Sequence, residues 1–206
     1  MKRNLYLVGV LMVLMLGLAT YKSTRPDADI LKFRVLGGYA YGYGVTKSRS
    51  LSDFRHFINA NPDVHTLVLV NMPGTQDLVT NTKIARLIRS KGLDTHLPDR
   101  GRIASGAVDL FIAGTKRTMD CGAQIGVHSW RLGGSPNSLV KNDGFHPQNM
   151  GTDRYRRAQE IFLYDMGVDP DFYVFTREAA PPEDIYYLTP EEIERFGLLT
   201  EPADCR

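Results

Sequence analysis

Apolar positions recur along this chain with two different periods. Thr66-Leu67-Val68-Leu69-Val70 is a continuous, β-branched apolar run, the pattern of a strand buried on both faces. Beyond it the period lengthens. Over residues 76–91, Val79, Lys83, Ile84, Leu87 and Ile88 share one mostly apolar helical face, and Gly92 is placed to close the helix as its C′ residue. The same two periods predict strands over 30–36, 93–97, 118–119, 124–128 and 185–188. They predict helices over 50–58, 105–113, 152–166, 170–178 and 190–196. Ser50 is expected to cap its helix with Asp53 as a weak capping box, and Pro190 suits a first turn. The Gly/Tyr segment 37–44, the segment Asn71-Met72-Pro73-Gly74 and residues 99–102 read as turns and loops. Residues 131–150, rich in Gly, Pro, Asn and Ser, read as a long loop of the kind that often carries function. Strands alternating with helices predict an α/β domain with a largely parallel sheet.

Composition narrows the class. A hydrophobic share of 43% with 23% charged residues is that of a globular protein, and 206 residues suit one domain plus a leader. A net charge of +2 is too small to argue for nucleic acid, and Arg154, Arg156 and Arg157 read as a solvated helix face. The N-terminus is distinctive. Met1-Lys2-Arg3-Asn4 is a basic head, followed by 14 uncharged residues from Leu5 to Leu18 and a small-residue cleavage pattern ending at Ala19. Extended to Tyr21, the uncharged run reaches 17 residues, the short limit of a membrane span. A cleaved signal and a retained anchor both fit residues 1–20, with 21–29 as a polar linker and 30–206 as the domain. In either case the leading positive charge favours an exported domain. Export permits a disulfide between Cys121 and Cys205; two free thiols is the alternative. No Cys/His cluster has metal-ligand spacing, so neither a metal nor another cofactor is predicted.

Chemistry enters at Ile103-Ala104-Ser105-Gly106-Ala107. A serine flanked by small residues opens a helix, and His128 follows 23 positions later at the end of another apolar run. A serine hydroxyl is a poor nucleophile near neutral pH, and an imidazole within hydrogen-bond reach is the usual activator. Small neighbours let a carbonyl approach and let a backbone N–H face it. The plainer reading is a tightly packed helix start and a core histidine.

Taken in order, several motifs are recognisable: a strand ending in Asn71-Met72-Pro73-Gly74; Ala104-Ser105 opening a helix; Ala113-Gly114 with Lys116-Arg117; Gly126-Val127-His128; and Leu188-Thr189-Pro190-Glu191-Glu192 ending in Phe196-Gly197-Leu198. The set resembles the Clp protease proteolytic subunit and its relatives in the crotonase-like superfamily, and looks similar to an exported bacterial-envelope branch, over about residues 31–200. The resemblance implies a crotonase/Clp-protease-like α/β fold of repeated strand-strand-helix units, here preceded by an N-terminal apolar helix. It implies Ser105 as nucleophile, His128 as general base and Asp184 as the acid that orients the imidazole. Asp184 stands 13 residues before Gly197, one more than the family spacing, so Asp143, Asp153 and Asp169 stay as alternatives, as does a dyad without an acid. Gly74 and Thr75, with the N–H of Gly106, would bind the oxyanion. Thr75 stands where the family has a second glycine, and a β-branched residue tolerates positive φ poorly. The resemblance further implies a polypeptide substrate held as an added strand, self-association into a homo-oligomer, and a place in the cell envelope, periplasmic or anchored to the inner membrane. A scaffold that keeps the fold without turnover is the second expectation. An acyl-CoA enzyme of the crotonase class is the third, disfavoured because that chemistry needs no Ser/His pair.

Overall fold

The structure, a computed structural model, describes residues 29–129 and 152–205. The leader, Trp130, Asp143 and the 131–150 loop lie outside them. The elements run β1 (Lys32–Leu36), β2 (Tyr39–Thr46), α1 (Ser50–Ala60), β3 (Thr66–Thr75), α2 (Leu78–Ser90), β4 (Asp94–Leu97), β5 (Arg102–Ala104) and α3 (Gly106–Ile112). Then come β6 (Arg117–Met119), β7 (Gln124–Val127), α4 (Thr152–Asp165), α5 (Phe172–Ala179), β8 (Tyr186–Tyr187) and α6 (Pro190–Arg195).

All eight strands belong to one sheet, and β3 is where it forks. The first half of β3 pairs with β4 through Thr66–Val68, and its second half pairs with β5 through Asn71–Met72. β4 continues to β6 and β5 to β7. These pairings and β2 with β3 are parallel; only β1–β2 and β7–β8 are antiparallel. The predicted largely parallel sheet is what forms. The apolar run 66–70 is buried through Leu69 on both faces, as its lack of alternation requires.

Helices α2 and α3 pack against β3 and its neighbours to form the core. Ile84, Ala85 and Ile88 of α2 meet Ala107, Leu110 and Phe111 of α3, above Leu67, Leu69 and Met72 of β3 and Ile103 and Ile125 of β5 and β7. At about 25 cal/mol per Å² of apolar area, this layer is the main source of folding energy.

Three sequence expectations change. The Gly/Tyr segment turns only at Gly37-Gly38, and from Tyr39 it is strand β2: Tyr39, Tyr41 and Tyr43 alternate with buried Ala40 and Gly42, and a Cβ at Gly42 would lie 2.7 Å from the Phe33 ring. Glycine there makes room for a neighbour and does not reverse the chain. Asn71–Gly74 continues β3, because pairing with β5 and β2 extends it to Thr75. Residues 102–104, expected in part as loop, pair between β3 and β7 as β5. Ser50 also moves by one position: Arg49 is the N-cap, and the Ser50 hydroxyl accepts from the Lys47 N–H. At α6 the reading holds, with a complete capping box between Thr189 and Glu192 and Pro190 in the first turn.

The C-terminal segment is tied down. Cys121 and Cys205 form a disulfide with Cα atoms 4.9 Å apart, so of the two alternatives the pair is realised. Beside it, the Cys121 N–H donates to the Asp204 carbonyl and the Asp204 N–H to that of Met119. Arg117, 5% exposed, donates to the carbonyls of Leu198, Met166 and Gly197.

Candidate active site

Three neighbouring parallel strands end at one edge of the sheet. β3 ends at Gly74-Thr75, β5 is followed at once by Ser105, and β7 is followed at once by His128. The carboxyl ends of parallel strands are where open α/β sheets bind ligands. Sequence-distant residues thus converge there because β5 lies between β3 and β7. The Ser105 N–H donates to the Gly126 carbonyl at 3.0 Å, fixing the serine to β7.

Ser105 has φ 54° and ψ −134°. Only one other non-glycine described residue, Arg100, has positive φ. The conformation follows from the local sequence: a strand must turn into a helix within a single residue. Such a backbone costs on the order of 1–3 kcal/mol and persists where surrounding structure enforces it. A sharp strand-to-helix turn is also what exposes the nucleophile in α/β-hydrolases. Although Ser105 occupies the N-cap position, its hydroxyl caps nothing and makes no hydrogen bond among the described residues.

Gly74 faces the serine. It has φ 137°, and a Cβ at this position would sit 3.0 Å from Ser105 Cβ and 3.4 Å from Oγ. Glycine is required there by both conformation and space. Thr75, by contrast, does not have positive φ, so the strain expected of a threonine in this turn does not arise. Its hydroxyl donates to the Thr46 and Asp77 carbonyls and accepts from the Asp77 N–H. Its methyl lies over Gly106, where any Cβ would collide with it. Gly106 is the first residue of α3, so its N–H has no acceptor within the helix.

His128 is half-buried. Its Nδ1 is fully buried without a hydrogen-bond partner among the described residues, and no hydrogen bond joins it to Ser105. Asp184 is exposed and accepts from the N–H of Ile185. The β7–β8 register pairs Val127 with Tyr186. The ladder ends there, and the Ser129 N–H donates instead to the Ala180 carbonyl. Asp169 accepts from the Asp171 N–H, and its own N–H donates to Phe196, away from these strand ends. Asp153 lies in α4.

Two polar residues behind the site were absent from the sequence reading. Asn81 of α2 is fully buried; its Nδ2 donates to the Gly106 carbonyl at 2.7 Å and to Asp109 Oδ2 at 3.2 Å. Its Oδ1 is buried without a partner, as is the hydroxyl of Thr46 at the end of β2. Asp109 is half-buried, and the protein packed around its carboxyl raises its pKa to about 7 against the smaller opposing pull of the Asn81 amide. The signal was there to read: Asn81 shares the apolar stripe of Ile84, Ala85 and Ile88, and Asp109 is the one charged residue in the apolar run of α3. Asp77 differs. Burial pushes its carboxyl up, but hydrogen bonds from Thr80, Ser48 and Val79 hold it below the usual range while it caps α2.

No family model and no curated protein matches the chain. Solved structures do. The 1510-N membrane-bound stomatin-specific protease, as a serine-to-alanine mutant, is 16% identical with a TM-score of 0.54 over 79% of this chain and 75% of that one. A second mutant of that protease, in complex with a substrate peptide, is 16% identical with a TM-score of 0.53 over 78% and 70%. Methylmalonyl CoA decarboxylase is 9% identical with a TM-score of 0.50 over 85% and 68%. With its forked parallel sheet and helical layer, the chain shares the mixed α/β fold of these structures.

Proposed function

We propose that this protein is an exported or membrane-anchored serine peptidase-like hydrolase that cleaves polypeptides with Ser105 and His128. The observation that carries the reading is the backbone of Ser105, strained at the end of β5 with an uncommitted hydroxyl facing Gly74. In this reading His128 takes the Ser105 proton as Oγ attacks the substrate carbonyl, then returns it to the leaving amine. The buried Nδ1 is the face turned to an acid, which assigns the proton transfer to Nε2. Asp184 serves as that acid after its side chain turns from Ile185 toward His128. The N–H groups of Gly106 and of the Gly74-Thr75 segment hold the oxyanion, each donor supplying on the order of 10²–10³ in rate. The substrate lies as an added strand; the stomatin-specific protease of similar fold is itself in complex with a substrate peptide.

Export is part of the proposal. Residues 1–20 act as a signal or anchor and 21–29 as a linker, placing the domain in the cell envelope, where it self-associates. The Cys121–Cys205 disulfide supports this, because such bonds persist in oxidising compartments. One observation favours a second reading: His128 neither bonds Ser105 nor finds a partner for Nδ1, as in a scaffold that has lost turnover. Peptide-library hydrolysis by the purified full-length chain separates them. Cleavage that disappears in both Ser105→Ala and His128→Ala supports the peptidase; cleavage that survives Ser105→Ala refutes it.

A further inference from the structure

Behind the nucleophile, the contact that most needs a reason is the Asn81 amide on the Gly106 carbonyl. A buried polar side chain on an apolar stripe is unfavourable unless its groups are satisfied. Asn81 satisfies only its N–H side: Nδ2 donates to Gly106 O at 2.7 Å and Asp109 Oδ2 at 3.2 Å, while Oδ1 stays buried and unpartnered. A leucine at this position would match Ile84, Ala85 and Ile88 and remove the orphaned Oδ1, at the loss of one donor each to Gly106 O and Asp109 Oδ2. The retained asparagine therefore does something packing does not ask for.

The partner it grips is informative. Gly106 joins two peptide planes. Its N–H is the free first donor of α3, next to Ser105, and its carbonyl is the acceptor held by Asn81. On the other side, Gly106 is pressed by the Thr75 methyl, and a Cβ would also come within 3.2 Å of Asn81 Nδ2. Gly106 has no side chain of its own to fix its direction. Asn81 and Thr75 supply that restraint from α2 and β3.

We propose that Asn81 is a positioning residue for the oxyanion half of the site: by clamping the Gly106 carbonyl it aims the Gly106 N–H and holds Ser105 in its strained turn. Asn81 touches no reacting atom. It acts through Gly106, and this role rests on the reading of Ser105 as nucleophile. Asp109 contributes by holding the second hydrogen of the same amide, which keeps the Asn81 side chain from rotating.

The test uses the full-length chain with Asn81→Leu, which keeps the volume and suits the apolar stripe, and Asn81→Ala as a second variant. Two quantities are read: inactivation kinetics with a fluorophosphonate, separated into a binding constant and a maximal rate, and backbone hydrogen exchange over residues 105–109. The expected result is a maximal rate reduced on the order of 10- to 100-fold with probe binding unchanged. Exchange over 105–109 rises on the order of tenfold while the melting temperature of Asn81→Leu holds or increases. A merely structural asparagine would move stability and leave that split untouched. Folded variants that react and exchange like wild type overturn the proposal, and so does unfolding of both variants, which would make Asn81 a core residue. If wild type itself does not react but exchange over 105–109 still responds to Asn81, the clamp stands and the nucleophile reading falls.

Discussion

Two regions of this molecule treat their polar groups in opposite ways. Around Arg117 every donor has a place: Nε and both terminal nitrogens reach carbonyls of Leu198, Met166 and Gly197, and Arg89 joins them on Met166. Burial and the neighbouring Arg89 charge lower its pKa to about 10, so the cation persists at neutral pH, held by carbonyl dipoles alone. The disulfide and the capping box of α6 belong to the same C-terminal part of the chain. At the ends of β2, β3, β5 and β7 the opposite holds. The three buried polar atoms without partners among the described residues, on Thr46, Asn81 and His128, belong to this edge, and so does the strained Ser105. A fold that satisfies its polar groups in one region and leaves them open in another is concentrating its strain at the proposed site.

The largest effect expected from breaking this contrast is at the satisfied end. Arg117→Ala takes this donor from the Leu198 and Gly197 carbonyls and leaves the Met166 carbonyl to Arg89 alone, and is expected to destabilise the domain by on the order of 3–5 kcal/mol, read from a urea midpoint. A loss within 1 kcal/mol of wild type would mean that the carbonyls find other donors.

At the open end, Gly106→Ala drives a methyl into the Thr75 side chain. Reactivity of Ser105 is expected to fall on the order of 10²-fold. Thr75→Gly removes the collision and should restore most of it, so a double variant no better than Gly106→Ala alone would contradict the coupling.

Asp109 gives a smaller, pH-dependent effect. Its folded pKa lies above its unfolded value, so the folded state holds the extra proton between about pH 4 and about pH 7. Stability contributed by the neutral acid is complete at the low end of that window and is lost as pH rises through about 7. Asp109→Asn should flatten this decline, which urea titrations at pH 5 and pH 8 would reveal. Each unit of upward shift corresponds to about 1.4 kcal/mol at the high end, reduced here because the residue is partly exposed. An unchanged pH dependence would place the carboxyl in water.

The smallest effect is the most diagnostic of the contrast. Ser105→Gly removes the positive-φ strain and should raise stability by about 1 kcal/mol while ending reactivity. A variant less stable than wild type would show that the turn is not strained.

Where local rules decide the outcome, this chain is open to reading. The buried run 66–70, the helical stripe of α2 and the first-turn Pro190 of α6 follow from neighbours in sequence, and they form as expected. Segments set by tertiary pairing were harder. Gly42 makes room for Phe33, Asn71–Thr75 stays extended because β5 and β2 hold it, and residues 102–104 become a strand only between β3 and β7. Ser105 and His128 stand out in the sequence by their small neighbours and apolar approach. Their meeting at one sheet edge depends on β5 lying beside β7, which no local pattern states. Asn81 and Asp109 were legible as polar residues on apolar faces, but read as helix positions they drew no attention.

The measurement that bears most directly on the central claim is covalent labelling of the full-length chain by a fluorophosphonate, with the modified residue located by peptide mass. An activated nucleophile predicts one adduct, on Ser105, absent in Ser105→Ala and strongly slowed in His128→Ala. A folded wild-type chain that takes no label, or takes it elsewhere, would contradict the account and leave the scaffold reading in its place.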